Sequence, residues 1–100
     1  MYGYYGGSIS DKFVYVTDVD LSEPSYSFDL LGIWKTDEGY YLSTDSGCSC
    51  PTPWESHTDS DLTGPLTAEQ AIEEATSLWS GSYGGGYEPE EFAKAIALIV

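Results

Sequence analysis

Two cysteines and one histidine are the residues of this sequence best suited to hold a metal ion. Cys48 and Cys50 are separated by one serine, and His57 lies in the same ten-residue segment. Thiolates and imidazoles are ligands of Zn²⁺, and a carboxylate from Asp45 or Asp59 could complete four ligands. Structural zinc sites usually have a wider cysteine pair and a second ligand pair, which this chain lacks. We therefore favour two partly buried thiols in a turn, with a zinc site and a Cys48–Cys50 disulfide as alternatives.

Recognisable catalytic motifs are absent from the sequence. His57 stands alone between Ser56 and Thr58 in a polar segment. There is no nucleophile elbow, phosphate-binding loop, dinucleotide-binding motif or H-E-x-x-H pattern. The acidic groups at residues 37–38 and 59–61 lack the spaced oxygen ligands of an EF-hand loop. We therefore expect a protein that is not an enzyme and that uses no cofactor.

The cysteines lie in a segment rich in Ser, Thr, Gly and Pro. We expect residues 45–64 to form an irregular loop, because they show no hydrophobic period and include Pro51 and Pro53. Trp54 in this loop could anchor a partner, since Trp is a frequent hot spot at interfaces. It could instead cover the open face of a sheet and complete the core. We favour the second interpretation and keep Trp54 among the candidate partner-binding residues.

Negative charge is the strongest signal in the composition. The 100 residues include 17 Asp or Glu and only 3 Lys or Arg, a net charge of −14. Three basic residues cannot neutralise a phosphate backbone or adhere to an anionic membrane, so we expect no direct binding to either. Fourteen charges equal those on about 24 Å of duplex DNA, which is about the width of a domain this size.

Such a charge either keeps a small protein soluble or recognises a basic partner by steering and complementarity. The binding hypothesis names a host protein with a basic surface, and DNA mimicry is one version of it. It assigns partner binding to the carboxylates of the helical half, which are Asp59, Asp61, Glu69, Glu73, Glu74, Glu88, Glu90 and Glu91.

The pattern of apolar residues predicts a single α+β domain over residues 1–100, with a flexible start at 1–8. Alternating apolar and polar residues predict an antiparallel meander of about three strands, at 13–21, 26–35 and 40–44. In the first strand we expect Phe13, Tyr15, Thr17, Val19 and Leu21 to share one face. Apolar residues on both faces of the second strand indicate a central position. A hairpin turn at 36–39 would use Gly39 for positive φ.

Two amphipathic helices are predicted after the loop, at residues 66–79 and 89–100, and both should pack on the sheet. Thr67 and Gln70 form a capping-box pattern at the start of the first helix, and Pro89 suits the first turn of the second. The buried stripe expected on the first helix is Ala68, Ala71, Ile72, Ala75, Leu78 and Trp79. The stripe expected on the second is Phe92, Ala93, Ile96, Ala97 and Val100.

Three motifs resemble a family of small proteins from actinobacterial phages. They are SYSFDL at residues 25–30, GYY at 39–41 and TDSGCSCPTPWE at 44–55, so the resemblance covers about residues 25–62. It implies the product of a phage gene that acts in the host cytoplasm, and it carries over no catalytic residue. Our preferred interpretation is a phage accessory protein that binds a host protein. A virion-associated component, and a metal- or thiol-dependent module built on Cys48, Cys50 and His57, are the alternatives.

Overall fold

Strand pairing organises the chain into one antiparallel sheet. The computed structural model describes residues 9–21, 27–48, 54, 57–81, 86 and 88–99, and only the backbone at 27, 28, 47 and 48. The described elements are β1 (Val14–Asp20), β2 (Ser27–Thr36), β3 (Gly39–Cys48), β4 (Thr63–Leu66), α1 (Ala68–Ser80) and α2 (Pro89–Ala97). The strands are ordered β1-β2-β3-β4. The predicted α+β class, with an antiparallel meander and two C-terminal helices, is confirmed. The predicted flexible start at 1–8 lies outside the described residues.

The β2–β3 hairpin is longer than the sequence indicated. Its ladder runs from Thr36 opposite Gly39 to Ser27 opposite Cys48. Gly39 has φ 148°, as the predicted turn requires. We expected the third strand to end at residue 44, but β3 continues to Cys48. Residues of low strand propensity extend β3 because each pairs through its backbone with the long β2.

A fourth strand, Thr63–Leu66, begins in the segment that we expected to be irregular and ends at Leu66, which we expected to start the first helix. β4 pairs antiparallel with β3, with Leu66 opposite Tyr40 and Thr63 opposite Leu42. The sequence pattern does not indicate this strand, because Gly64 and Pro65 occupy its middle and both residue types are depleted in strands. Proline is tolerated here because β4 is at the edge of the sheet.

The expected common face of the first strand is wrong. The pairing of β1 with β2 shifts register between Tyr15, opposite Trp34, and Thr17, opposite Ile33. One additional residue in β1 reverses the direction of the side chains that follow it. Tyr15 therefore packs with Trp34, whereas Val19 packs on the opposite face of the sheet with the helices.

Both faces of the sheet are covered. One face packs against the helices, and its buried residues are Val19, Leu21, Leu31, Ile33, Tyr40, Leu42, Ala71, Ala75, Phe92, Ala95 and Ile99. On the other face, Leu30 and Trp34 of β2 pack with Ile9, Tyr41, Trp54 and Leu62. The central position expected for β2 is confirmed, because this strand supplies buried residues to both clusters.

Helix α1 forms as the sequence predicts. The Gln70 amide donates to Thr67 Oγ1 at 3.1 Å, and the Thr67 amide donates to Gln70 Oε1 at 3.0 Å. Ala71 and Ala75 are fully buried, and the rest of the predicted stripe packs against the same cluster. Glu69, Glu73 and Glu74 are exposed on the outer side of the helix.

Helix α2 begins at Pro89 as predicted, but its buried stripe differs. Phe92, Ala95 and Ile99 are buried and Ile96 packs against the same cluster, whereas Ala93 and Ala97 are exposed. Val100 lies outside the described residues. The helix is rotated toward the face that lets Phe92 stack on Trp79 of α1, with ring centroids 4.2 Å apart and planes 3° apart. This aromatic stack joins the two helices above the sheet.

Candidate interaction surface

The structure places all the carboxylates assigned to partner binding on the surface. Two lie in a 3-10 turn, Asp59–Asp61, that precedes β4. Three lie on the outer side of α1, and three lie at the start of α2. Each of the eight side chains is exposed: Asp59, Asp61, Glu69, Glu73, Glu74, Glu88, Glu90 and Glu91. We call this set the acidic helical face.

Basic residues neutralise little of the acidic helical face. In the described part of the chain its one ion pair joins Lys94 Nζ to Glu91 Oε1, at 3.2 Å. Lys12 and Lys35 both line a pocket beside the end of β2, and no residue of the acidic helical face lines that pocket. Their ammonium groups lie over the rings of Phe13 and Tyr40.

Asp59 and Asp61 also hold local structure together. Asp59 Oδ1 accepts a hydrogen bond from the Ser10 amide at 2.7 Å. Asp61 Oδ2 accepts from the Thr58 amide at 2.7 Å and from the Thr58 hydroxyl at 3.2 Å. The backbone hydrogen bonds lower the pKa of both carboxyl groups below the ordinary value of 3.8. Both groups therefore stay negative well into the acidic range.

Negative charge extends from α2 onto β1. Burial raises the pKa of Asp20 above its ordinary value, and the nearby carboxylates of Asp18, Glu88 and Glu91 act in the same direction. Asp20 Oδ1 is buried and has no hydrogen-bond partner among the described residues. Sequence spacing does not group Asp20 with the helical carboxylates, because only the docking of α2 on β1 brings them together.

A polar cleft lies between the β3–β4 edge and α1. Its volume is about 170 Å³. Its lining residues are Leu42, Ser43, Thr44, Asp61, Thr63, Glu74 and Leu78. Asp61 and Glu74 were predicted as binding residues, whereas the hydroxyl-bearing residues were missed. Ser43, Thr44 and Thr63 belong to no motif, and only the pairing of β3 with β4 brings them to this cleft.

His57 lies beside this cleft and contacts Ser43, one of its lining residues. Its Nε2 atom is 3.0 Å from Ser43 Oγ and 3.2 Å from the carbonyl oxygen of Thr44. A carbonyl only accepts, so the bond to Thr44 requires a hydrogen on Nε2. Ser43 Oγ donates its own hydrogen to the Asp61 carbonyl at 3.1 Å. This arrangement ties β3 to the segment that begins at His57.

Trp54 cannot contact a partner where the structure places it, which corrects its assignment to partner binding. Its side chain is 0% exposed and packs edge-to-face on Trp34, with ring centroids 4.9 Å apart. The Trp54 amide donates to Asp45 Oδ2 at 2.7 Å, which holds a residue of φ 70° in place. The favoured interpretation, in which Trp54 covers the sheet and completes the core, is confirmed.

The candidate metal ligands that the structure describes do not form a cluster, and each already takes part in a hydrogen bond. The side chain of Cys48, in β3, and the whole of Cys50 lie outside the described residues. Asp45 and Asp59 each accept a backbone N–H, and His57 bonds to β3. Among the residues with described positions, no group of three or more His, Cys, Asp or Glu could hold a metal ion. The zinc and disulfide alternatives stay predictions.

The fold and the surface together define a class, a small acidic α+β protein with a largely uncompensated carboxylate face. The chain belongs to the family described as "Domain of unknown function (DUF7574)", whose model matches residues 6–100. No curated protein and no solved structure matches it. Within the ranges that the structure describes, no helix has the length and apolar character needed to cross a membrane.

Proposed function

We propose that this protein is a non-enzymatic accessory protein that binds a basic surface of another protein through the acidic helical face. One observation carries the proposal. All eight carboxylates of this face are exposed, and among the described residues only Glu91 forms an ion pair, while the charge of Lys12 acts on Asp59 without a direct ion pair. In the ranges that the structure describes, one carboxylate of the face, Glu91, forms an ion pair and seven do not. They are therefore free to pair with cations on another molecule.

The magnitude of the charge favours binding over a purely solubilising role. A net charge of −14 on a 100-residue chain is well beyond the magnitude of roughly 2–8 that is enough to keep a small domain soluble. A field of one sign attracts basic surfaces and accelerates their encounter, and it repels nucleic acid and anionic membranes. Both helices pack against the sheet, so the fold sets the backbone positions from which the carboxylates of α1 and α2 project.

The phage resemblance supports a specific version of this proposal. In that version the protein acts in the cytoplasm of an actinobacterial host, and its partner is a host protein. If the partner normally binds DNA, the carboxylates of α1 and α2 occupy the phosphate-binding surface as a DNA mimic.

Capture from an actinobacterial lysate tests the proposal when salt and charge are both varied. A variant with Glu69→Lys, Glu73→Lys and Glu74→Lys replaces three exposed carboxylates on α1. A matched control with Asp11→Lys, Asp37→Lys and Glu38→Lys makes the same changes outside the acidic helical face. Each variant gains six charge units, from −14 to −8, so a general charge effect alters both equally.

We expect a defined partner that the wild type captures at about 0.1 M salt and releases at about 1 M, where the Debye length falls from ~10 Å to ~3 Å. The α1 variant should lose this partner while the control variant retains it. If both variants lose the partner equally, net charge alone explains the capture, and a specific binding face is contradicted. Capture that does not respond to salt would contradict the electrostatic basis of the proposal.

A further inference from the structure

We infer that the polar cleft between β3, β4 and α1 receives one arginine or lysine side chain of the partner and thereby anchors the acidic helical face. This inference rests on the proposed function and names the contact that fixes the partner's position. Two residues of the acidic helical face, Asp61 and Glu74, line the cleft.

The lining of the cleft matches the two parts of a long basic side chain. Leu42 is buried and Leu78 is half-buried, and they give the cleft an apolar portion suited to a methylene stem. The hydroxyl groups of Ser43, Thr44 and Thr63 and the carboxylates of Asp61 and Glu74 supply oxygen acceptors for the cationic head. Neither a carboxylate pair alone nor an apolar groove alone has this combination.

The two carboxylates of the cleft have acceptor capacity left over. Asp61 Oδ2 takes both hydrogen bonds from Thr58, so Oδ1 is left for a ligand. Glu74 is exposed and has no ion pair in the part of the chain that the structure describes. Lys94 pairs with Glu91 on α2, and Lys12 and Lys35 line the other pocket. The chain therefore has no lysine or arginine of its own in this cleft.

The volume of the cleft favours a single side chain over a water molecule or a drug-sized ligand. The volume of about 170 Å³ far exceeds the ~10–15 Å³ that one water molecule needs. It is smaller than the roughly 300–1,000 Å³ of clefts that bind drug-sized molecules or cofactors. A single side chain from a larger partner fits between these limits, and the rest of that partner would lie on the carboxylates of α1.

A small arginine probe tests the cleft without any knowledge of the partner. The experiment titrates isotope-labelled full-length protein with N-acetyl-argininamide and follows backbone amide shifts by NMR. N-acetyl-citrullinamide, which is nearly isosteric and uncharged, is the ligand control. Glu74→Gln removes one cleft carboxylate, and Glu69→Gln removes an exposed carboxylate of the same helix that does not line the cleft.

We expect saturable one-to-one binding that shifts the amides of Ser43, Thr44, Thr63 and Leu78, and a much weaker response to the citrulline compound. Glu74→Gln should weaken the affinity for N-acetyl-argininamide about two- to fivefold, as expected for a partly exposed charge pair. Glu69→Gln should change this affinity little. Equal effects of the two variants would overturn the inference. Unsaturable shifts spread over all acidic residues would also overturn it.

The result is separable from the proposed function. If the probe fails to saturate the cleft while the α1 charge variant still loses its partner, the cleft anchor is wrong and the acidic helical face stands. If the probe saturates the cleft while the charge variant keeps its partner, the cleft stands as a cation site and the acidic helical face is wrong as the main docking surface.

Discussion

Gly32 shows how a single residue controls the core on the side of the sheet where Trp34 and Trp54 pack. It lies in the central strand β2, beneath the indoles of Trp34 and Trp54. A Cβ at this position would lie 2.7 Å from Trp34 Cζ3 and 2.7 Å from Trp54 Cζ2. Both indoles are fully buried, so neither can move aside into solvent. The glycine therefore provides the space in which the two rings meet edge-to-face.

We predict that Gly32→Ala destabilises the protein by about 1–3 kcal/mol, the usual cost of overpacking a well-filled core. Urea unfolding followed by tryptophan fluorescence measures the change, because the two buried indoles report on this cluster.

Gly81→Ala is the matched control for this substitution. Gly81 is exposed after α1, and a Cβ there would meet a single atom, the Ser77 carbonyl oxygen, at 3.0 Å. We expect a clearly smaller loss of stability. A loss in Gly32→Ala no greater than in Gly81→Ala would show that the indoles do not need the space above Gly32.

At the scale of elements, α1 carries much of the proposed binding charge, and its start is fixed by local hydrogen bonds. The Thr67 hydroxyl and the Gln70 side chain satisfy each other's backbone amides. This cap fixes where the helix begins, and so it sets which of its residues face the sheet. Glu69, Glu73 and Glu74 then project outward because Ala71 and Ala75 occupy the buried side.

We predict that Thr67→Ala costs about 0.5–2 kcal/mol of stability, since the amide of Gln70 loses its acceptor. Thr76→Ala provides a control with the same chemical change in the same helix. The Thr76 hydroxyl donates to the Ile72 carbonyl at 2.7 Å within the helix, and alanine has the higher helix propensity. Thermal unfolding should therefore show a lower Tm for Thr67→Ala and an unchanged or higher Tm for Thr76→Ala. The reverse order would contradict the capping role.

At the scale of the whole molecule, the carboxylates respond to pH in two opposite ways. Burial raises the pKa of Asp20 and of Asp29 above 3.8, so folding favours their protonated forms. Their protonation stabilises the folded state as pH falls from neutral toward 3.8. Backbone hydrogen bonds lower the pKa of Asp59 and Asp61 below 3.8. The stability that they contribute is present above 3.8 and is lost as pH falls through their folded pKa values.

We predict a Tm that rises as pH is lowered from 7 into the mildly acidic range and then falls below about pH 3.8. Reduced repulsion among the 17 acidic side chains adds to the rise. Calorimetry at low protein concentration measures the curve. Asp20→Asn should flatten the rise, because asparagine removes a charge whose burial is unfavourable. A Tm that falls steadily from pH 7 downward would contradict the assignment of Asp20 and Asp29.

Local patterns predicted a large part of this structure. The hairpin at Gly39, the cap at Thr67 and the proline at the start of α2 all depend on a few neighbouring residues, and all three are confirmed. β2 was recognisable as central because its apolar residues occupy both faces. Features that depend on contacts between distant segments were missed. The register shift in β1 and the pairing of the Gly-Pro strand β4 leave no periodic signal.

The amino-acid sequence by itself determined the net charge, the absence of long acidic runs and the positions of the two amphipathic helices, because these follow from composition and short-range spacing. Only the tertiary structure decided what the charge can do. The docking of α2 placed Glu88 and Glu91 near Asp20, and the pairing of β3 with β4 placed Asp61 opposite Glu74 across a cleft. The burial of Trp54 also depends on the tertiary structure, since its ring packs on Trp34, which lies twenty residues earlier in the chain. Contacts of this kind arise when the sheet and helices close over a shared core, and spacing along the chain does not encode them.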